Sequence, residues 1–189
     1  MKRHVITTWA AITYVVAGAA IALSAQTRPL RVVPTVDYQK YAGTWYEIAR
    51  LPNRFEHKCV GDITASYTAR RDGRFDVKNR CVEADGSYAE AKGIARRVDG
   101  QPPSVLEVRF APAFLSWLPM VWGDYQIIAL ADDYSHTMIG SPNRKYLWIL
   151  ARTPRIDDEL YRSLLKVAEQ QGFDTGPMIK VQFKVDGSL

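Results

Sequence analysis

The 189-residue chain is poor in the residues most enzymes and metal proteins depend on. It has two cysteines, Cys59 and Cys81, and three histidines, His4, His57 and His136. His4 lies in a leader-like segment, and His57 and His136 are too few to build a metal centre, so none is expected. The chain lacks H-E-x-x-H, a P-loop and G-x-S-x-G, which leaves zinc-protease, phosphate-cradling and serine-hydrolase chemistry without its machinery. Ser163 to Lys166 fits S-x-x-K, but without the other elements of that site. A catalytic thiol has only His57 near Cys59 along the chain and no third partner. No cofactor is expected. Runs of like charge are also missing. The net charge of +5 falls to +3 when residues 1–25 are removed, because they hold Lys2 and Arg3 and no acid. That mild excess does not suit a nucleic-acid binder.

One long apolar run is present, from Val5 to Leu23, behind Lys2, Arg3 and His4 and ahead of small residues ending at Ala25. This is the layout of a secretory signal peptide, with cleavage expected after Ala25 and a single domain over 26–189. An uncleaved anchor is the alternative, since the run is long enough to span a bilayer. No cysteine follows the run for lipid attachment. The expected location is outside the cytoplasm, in the periplasm or at the outer membrane. In that compartment a Cys59–Cys81 bridge is favoured over two buried thiols.

The remaining sequence alternates apolar and polar residues between turn signals. Strands are expected at 43–50, 59–70, 75–81, 87–96, 105–110, 124–131, 136–140 and 146–152, with hairpin turns at Asp72-Gly73 and Asp85-Gly86. After Pro154 the period changes: Ile156, Leu160, Leu164 and Ala168 stand four apart, Asp157 is a credible N-cap, and Gly172 ends a helix. A short last strand is expected from Ile179 to Phe183. Eight antiparallel strands joined by short turns remove their edges by closing, so the fold class is all-β, an up-and-down β-barrel with one helix outside. Such a barrel is either filled by side chains or holds one small ligand.

Three stretches carry a family resemblance. "GTWYEIARLPNRFE" resembles the first signature of the lipocalins, with Gly43 and Trp45 as its G-x-W. "DYQIIALADDYSH" resembles the second: Asp133 and Tyr134 match its last two positions, and Asp132 replaces the threonine. "YLWILART" resembles the third, with Arg152 ending the eighth strand. The resemblance covers nearly all of 35–184. It implies that Trp45 closes the floor of the barrel, with Arg152 across its face. Strand order then puts the connections 51–58, 82–87, 111–123 and 141–145 at the mouth. The cysteines share side-chain parity near that mouth, but a simple two-residue turn leaves them several positions out of register, and the sequence shows no bulge to correct it.

Candidate pocket residues are Glu47, Tyr67, Phe75, Val77, Tyr88, Val108, Phe110, Trp117, Trp122, Tyr125, Ile127 and Trp148, with Glu47 and Arg109 as polar anchors; Arg50 is expected at the mouth. The connection 111–122 is apolar and carries no charge. Three readings of it stand: a lining for the pocket entrance, a contact with a membrane surface, or a dimer contact. An apolar cavity with few polar groups suits a fatty acid or a lysophospholipid, and each buried methylene contributes about 0.8 kcal/mol. The resemblance implies binding and transport of such lipids in upkeep of the cell envelope; no catalytic activity is expected, and monomer and homodimer both stay open. An enzyme on the same scaffold, an isomerase or epoxide-acting protein using Cys59 or Cys81, and an interaction module built on 111–122 are the alternatives.

Overall fold

The computed structural model describes residues 28–184, so the leader-like segment lies outside it. Strands β1 (Gly43–Arg50), β2 (Cys59–Ala69), β3 (Phe75–Glu83), β4 (Tyr88–Arg97), β5 (Val105–Arg109), β6 (Gly123–Leu130), β7 (His136–Gly140) and β8 (Leu147–Ala151) pair in sequence order. β1 pairs with both β2 and β8, which closes an eight-stranded antiparallel barrel. Glycines make the tight hairpins: Gly73 and Gly86 have φ of +79° and +84° and follow aspartates.

The strand alternation creates two cores. Along β8, Trp148 and Leu150 face the barrel interior, while Leu147, Ile149 and Ala151 face outward. Helix α2 (Asp158–Gln170) covers the outward set with Tyr161, Leu164 and Ala168, which explains the four-residue spacing. Asp157 caps it, accepting from Leu160 N at 2.7 Å, and Gly172 ends it with φ of +85°. The final strand β9 (Ile179–Lys180) is shorter than the sequence pattern suggests. β1 and β2 pair only over Gly43–Tyr46, then diverge toward the mouth. The chain from 179 to 184 fills that gap. Val181 N donates to Ile48 O, and Asp62 N donates to Gln182 O, both at 2.9 Å. A Cβ on Gly61 would stand 2.6 Å from Gln182 O, so this approach requires glycine.

Bulges decide what the alternating pattern leaves open. In β2 the register shifts twice, between Cys59 and Gly61 and between Gly61 and Thr64, so Cys59 pairs with Glu83. That brings Cys59 to within 5.6 Å (Cα–Cα) of Cys81, and the two form a disulfide. Replacing both by serine is expected to lower unfolding free energy by about 3 kcal/mol, the loop-closure value for this span. Urea denaturation of the double variant against the oxidised parent measures it.

The β1 bulge has the larger consequence. Glu47 pairs with Leu150 but Ala49 with Ile149, so Ile48 is the extra residue. Ile48 and Ala49 both join the outer core, and the alternation inverts beyond them. Arg50 therefore turns inward beside Trp148 and is 5% exposed. Counting along an unbroken strand leaves Glu47 as the sole interior charge at this end; the bulge overturns that, and Arg50 stands at the mouth end but facing inside.

Candidate functional site

One end of the barrel is plugged. Helix α1 (Tyr38–Tyr41), capped by Asp37, lays Tyr41 over the floor. Trp45 is fully buried and donates from Nε1 to Tyr41 O at 2.9 Å. The Arg152 guanidinium lies 3.7 Å from the centre of the Trp45 ring and donates to the carbonyls of Lys40, Tyr41, Ala42 and Thr44. Gly43 stands beside it at φ +100°, a backbone conformation that favours glycine. Tyr134 OH accepts from Asp37 N at 2.7 Å, and Asp133 accepts from Ser135 N, fixing the 131–135 turn at this end. These contacts are all structural and leave no opening.

Above the plug the interior is packed. Phe75, Val77, Ile127 and Ile139 are each at most 3% exposed. Three tyrosine hydroxyls form a chain, Tyr41 to Tyr125 at 2.7 Å and Tyr125 to Tyr67 at 3.0 Å. Burial pushes the Tyr41 phenol up to about 12 and raises those of Tyr67 and Tyr125, so all three stay neutral.

The other end differs. Inside it stand Glu47, Arg50 and Glu56, the last reaching in from the connection 51–58. Arg50 donates from Nη1 to Glu47 Oε1 at 3.0 Å, and its Nε lies 3.3 Å from Glu56 Oε2. Glu56 Oε2 also accepts from Asn53 Nδ2 at 2.7 Å and Trp148 Nε1 at 3.2 Å. Burial raises the Glu47 carboxyl well above the usual carboxylate range; the Glu56 charge adds to this and the Arg50 charge opposes it. Two carboxyls thus share one guanidinium, and Glu47 is the more deeply buried of the two. The wall opposite is small. On β4, Ala95 faces the interior core, and the same face continues through Gly93, Ala91 and Ala89. The β3–β4 hairpin rises beyond the end of β5, whose pairing stops at Ile94, and Ala91 is exposed there although it lies on the inner face. Asn79, facing Ala91 across the ladder, has a buried Oδ1 without a partner.

The candidate pocket residues separate accordingly. Glu47, Tyr67, Phe75, Val77, Val108, Tyr125, Ile127 and Trp148 are brought together in the interior. Phe110 lies at the rim, 42% exposed, its ring so close to Gly93 that an added Cβ would stand 2.8 Å away. Tyr88 points outward, under the guanidinium of Arg80 at 3.8 Å, because the inner face of β4 falls on its odd-numbered residues. Arg109 is likewise on the outer face, opposite in parity to Val108, and is covered by Trp122. Trp122 lies between Arg96 (3.8 Å) and Arg109 (5.2 Å), and its Nε1 donates to Ser116 O. Trp117 projects to solvent, 76% exposed. Arg50, Glu56 and the Ala89–Gly93 wall were not legible beforehand: the first needs the bulge, the second sits in a loop, and alanines carry no chemical signal.

The comparisons with known proteins return the same barrel family. Residues 36–183 match the family model of the lipocalin-like domain. The chain belongs to the lipocalin family. This lipocalin is 39% identical over 165 residues to the outer membrane lipoprotein Blc of Escherichia coli K12, covering 86% of this chain and 89% of that protein. It is 37% identical to temperature-induced lipocalin-1 of Arabidopsis thaliana, over 81% of this chain and 82% of that one. Among solved structures, lobster apocrustacyanin A1 superposes with a TM-score of 0.62 at 18% identity, over 85% of this chain and 93% of the other.

The upward shift of the Glu47 carboxyl has a measurable consequence. A carboxyl whose folded-state pKa is raised stabilises the fold fully below its unfolded-state value, and that contribution is lost as pH rises through the folded-state value. A glutamine in its place would not titrate. Glu47→Gln is therefore expected to match the parent in stability near pH 4 and to exceed it at pH 8. Urea denaturation at both values checks this, and an advantage that shrinks with pH would mean an ionised Glu47.

Proposed function

We propose that this lipocalin captures a fatty acid or lysophospholipid through the open end of its barrel and carries it in the bacterial cell envelope, without catalysing a reaction. One observation carries the reading: a buried, hydrogen-bonded charge group, Glu47, Arg50 and Glu56, stands beside an open small-residue wall at the mouth. Apolar walls with a few convergent polar groups suit an amphiphile. The envelope setting is supported by the leader-like residues 1–25, by the disulfide, and by the name of the E. coli relative, an outer membrane lipoprotein. The cysteines are bridged, which removes the thiol the enzyme alternative relies on. Displacement of a fluorescent fatty acid, together with native mass spectrometry of protein purified from its producing cells, tests the reading. Bound lipid and displacement support it; folded protein that carries none and displaces nothing would sink it.

Of the three readings of 111–122, contact with a lipid surface is the one we favour. Two 3₁₀ turns, Ala113–Leu115 and Pro119–Val121, hold Phe114, Trp117 and Met120 outward at 74%, 76% and 85% exposure. A pocket lining would bury them. Phe55, on the neighbouring mouth connection, is 62% exposed and flanked by Arg54, His57 and Lys58. Apolar tips bordered by cations suit an anionic bilayer. Replacing Trp117 with serine is expected to weaken binding to vesicles of anionic phospholipid about tenfold, in a sedimentation assay, with lipid affinity in the barrel unchanged. A shift from dimer to monomer, with vesicle binding intact, would favour the dimer reading instead.

A further inference from the structure

We infer that Glu56 is a built-in stand-in for the acidic head of the ligand: it occupies Arg50 and is displaced by an incoming anionic headgroup. The inference rests on the lipid-binding reading and specifies how that site selects.

The argument starts from Arg50. A guanidinium cannot shed its proton, so a buried one needs an anion at all times; leaving it unpaired would be strongly destabilising. Glu47 is not the exchangeable partner, because its side chain is only 4% exposed, deep beside Arg50. Glu56 sits differently. Its side chain is 14% exposed, at the rim between the interior and water. Its backbone is tied apart from its carboxylate: Glu56 N donates to Asn53 Oδ1, and its carbonyl accepts from Cys59 N and, at 3.3 Å, from Arg50 Nη2. The carboxylate can therefore rotate out to solvent without unfolding the connection.

Its hold on Arg50 is also incomplete. Arg50 Nε lies 3.3 Å from Glu56 Oε2, yet the N–H is not aligned on it and has no hydrogen-bond acceptor. The contacts of Glu56 with Asn53, Trp148 and Arg50 fall on the single oxygen Oε2, and the Glu47 carboxyl lies within hydrogen-bonding reach of the same side chain. A free carboxylate or phosphate monoester entering over the Ala89–Gly93 wall can take the guanidinium face to face, with two oxygens on two N–H groups. A neutral amphiphile of the same length cannot, because it would leave Arg50 without an anion. Selectivity for charged heads then follows from the exchange itself, and Glu56 lowers the apparent affinity by the fraction of time it occupies Arg50.

The test is calorimetric titration of the folded protein with three probes of one chain length: dodecanoate, dodecyl phosphate and 1-dodecanol. Glu56→Gln keeps an acceptor for Asn53 and Trp148 but removes the competing charge. It should raise the affinity for one or both anionic probes about tenfold and leave 1-dodecanol within twofold; the probe that gains more identifies the headgroup. Arg50→Gln should erase the preference for anions. In the parent, the Trp148 indole N–H resonance should shift when an anion binds and stay in place with 1-dodecanol. If all three probes bind and Glu56→Gln strengthens them equally, or weakens the anions, the exchange is wrong while the lipid-binding reading stands. If no probe binds folded parent protein, both fall.

Discussion

Trp45→Ala is expected to lower the unfolding free energy by about 3–5 kcal/mol, the range for removing a large buried aromatic. The indole is fully buried, tilted 5.1 Å from the Tyr41 ring and covered by Arg152. Its removal leaves a cavity under a guanidinium and deprives the Tyr41 carbonyl of its indole donor. Arg152 would then hold α1 through hydrogen bonds alone, with no aromatic face beneath it. For a chain of this size the loss corresponds to roughly 10 °C or more in Tm. Thermal and urea denaturation measure it. Because the floor makes no contact with the mouth, dodecanoate affinity of the folded variant at low temperature should stay within threefold of the parent. A loss under 1 kcal/mol would show that the plug is dispensable, and a large loss of affinity would show that ligand reaches the floor.

Ala91→Trp should do the reverse. Ala91 lies on the inner face of β4 but is exposed, so an indole there needs no displaced backbone and stability should change little. It would fill the space opposite Asn79 and above Gly93. Excluding about four methylenes of an acyl chain, at about 0.8 kcal/mol each, costs about 3 kcal/mol of binding, or roughly a hundredfold in Kd. Calorimetry with dodecanoate reads this directly. Unchanged affinity would place the acyl chain elsewhere. Together the two variants separate the ends of the barrel: one change should act on stability and the other on binding.

Much of the barrel was legible because its strands are bounded by strong local signals. Asp72-Gly73 and Asp85-Gly86 require positive φ, which glycine supplies, so both hairpins appear in the pattern. The helix was legible for the same kind of reason: Leu160, Leu164 and Ala168 repeat at four, and Asp157 and Gly172 mark its ends. Tyr88, Trp122 and Arg109 were placed inside on residue type or strand counting. Type does not report facing: a tyrosine or tryptophan covers apolar surface equally well under Arg80 or between Arg96 and Arg109.

What the sequence determined by itself is therefore what depends on neighbours along the chain: strands, turns, helix caps, and the three motifs whose residues meet at the floor. Tertiary structure alone decided the facing of Arg50 and the register that lets the expected Cys59–Cys81 bridge form. Both follow from bulges, and a bulge is a compromise between two partner strands, so no single strand encodes it. β1 must satisfy β8 and the α2-facing core with Ile48 and Ala49 at once. The extra residue that allows this turns Arg50 inward and brings it to Glu47 and Glu56.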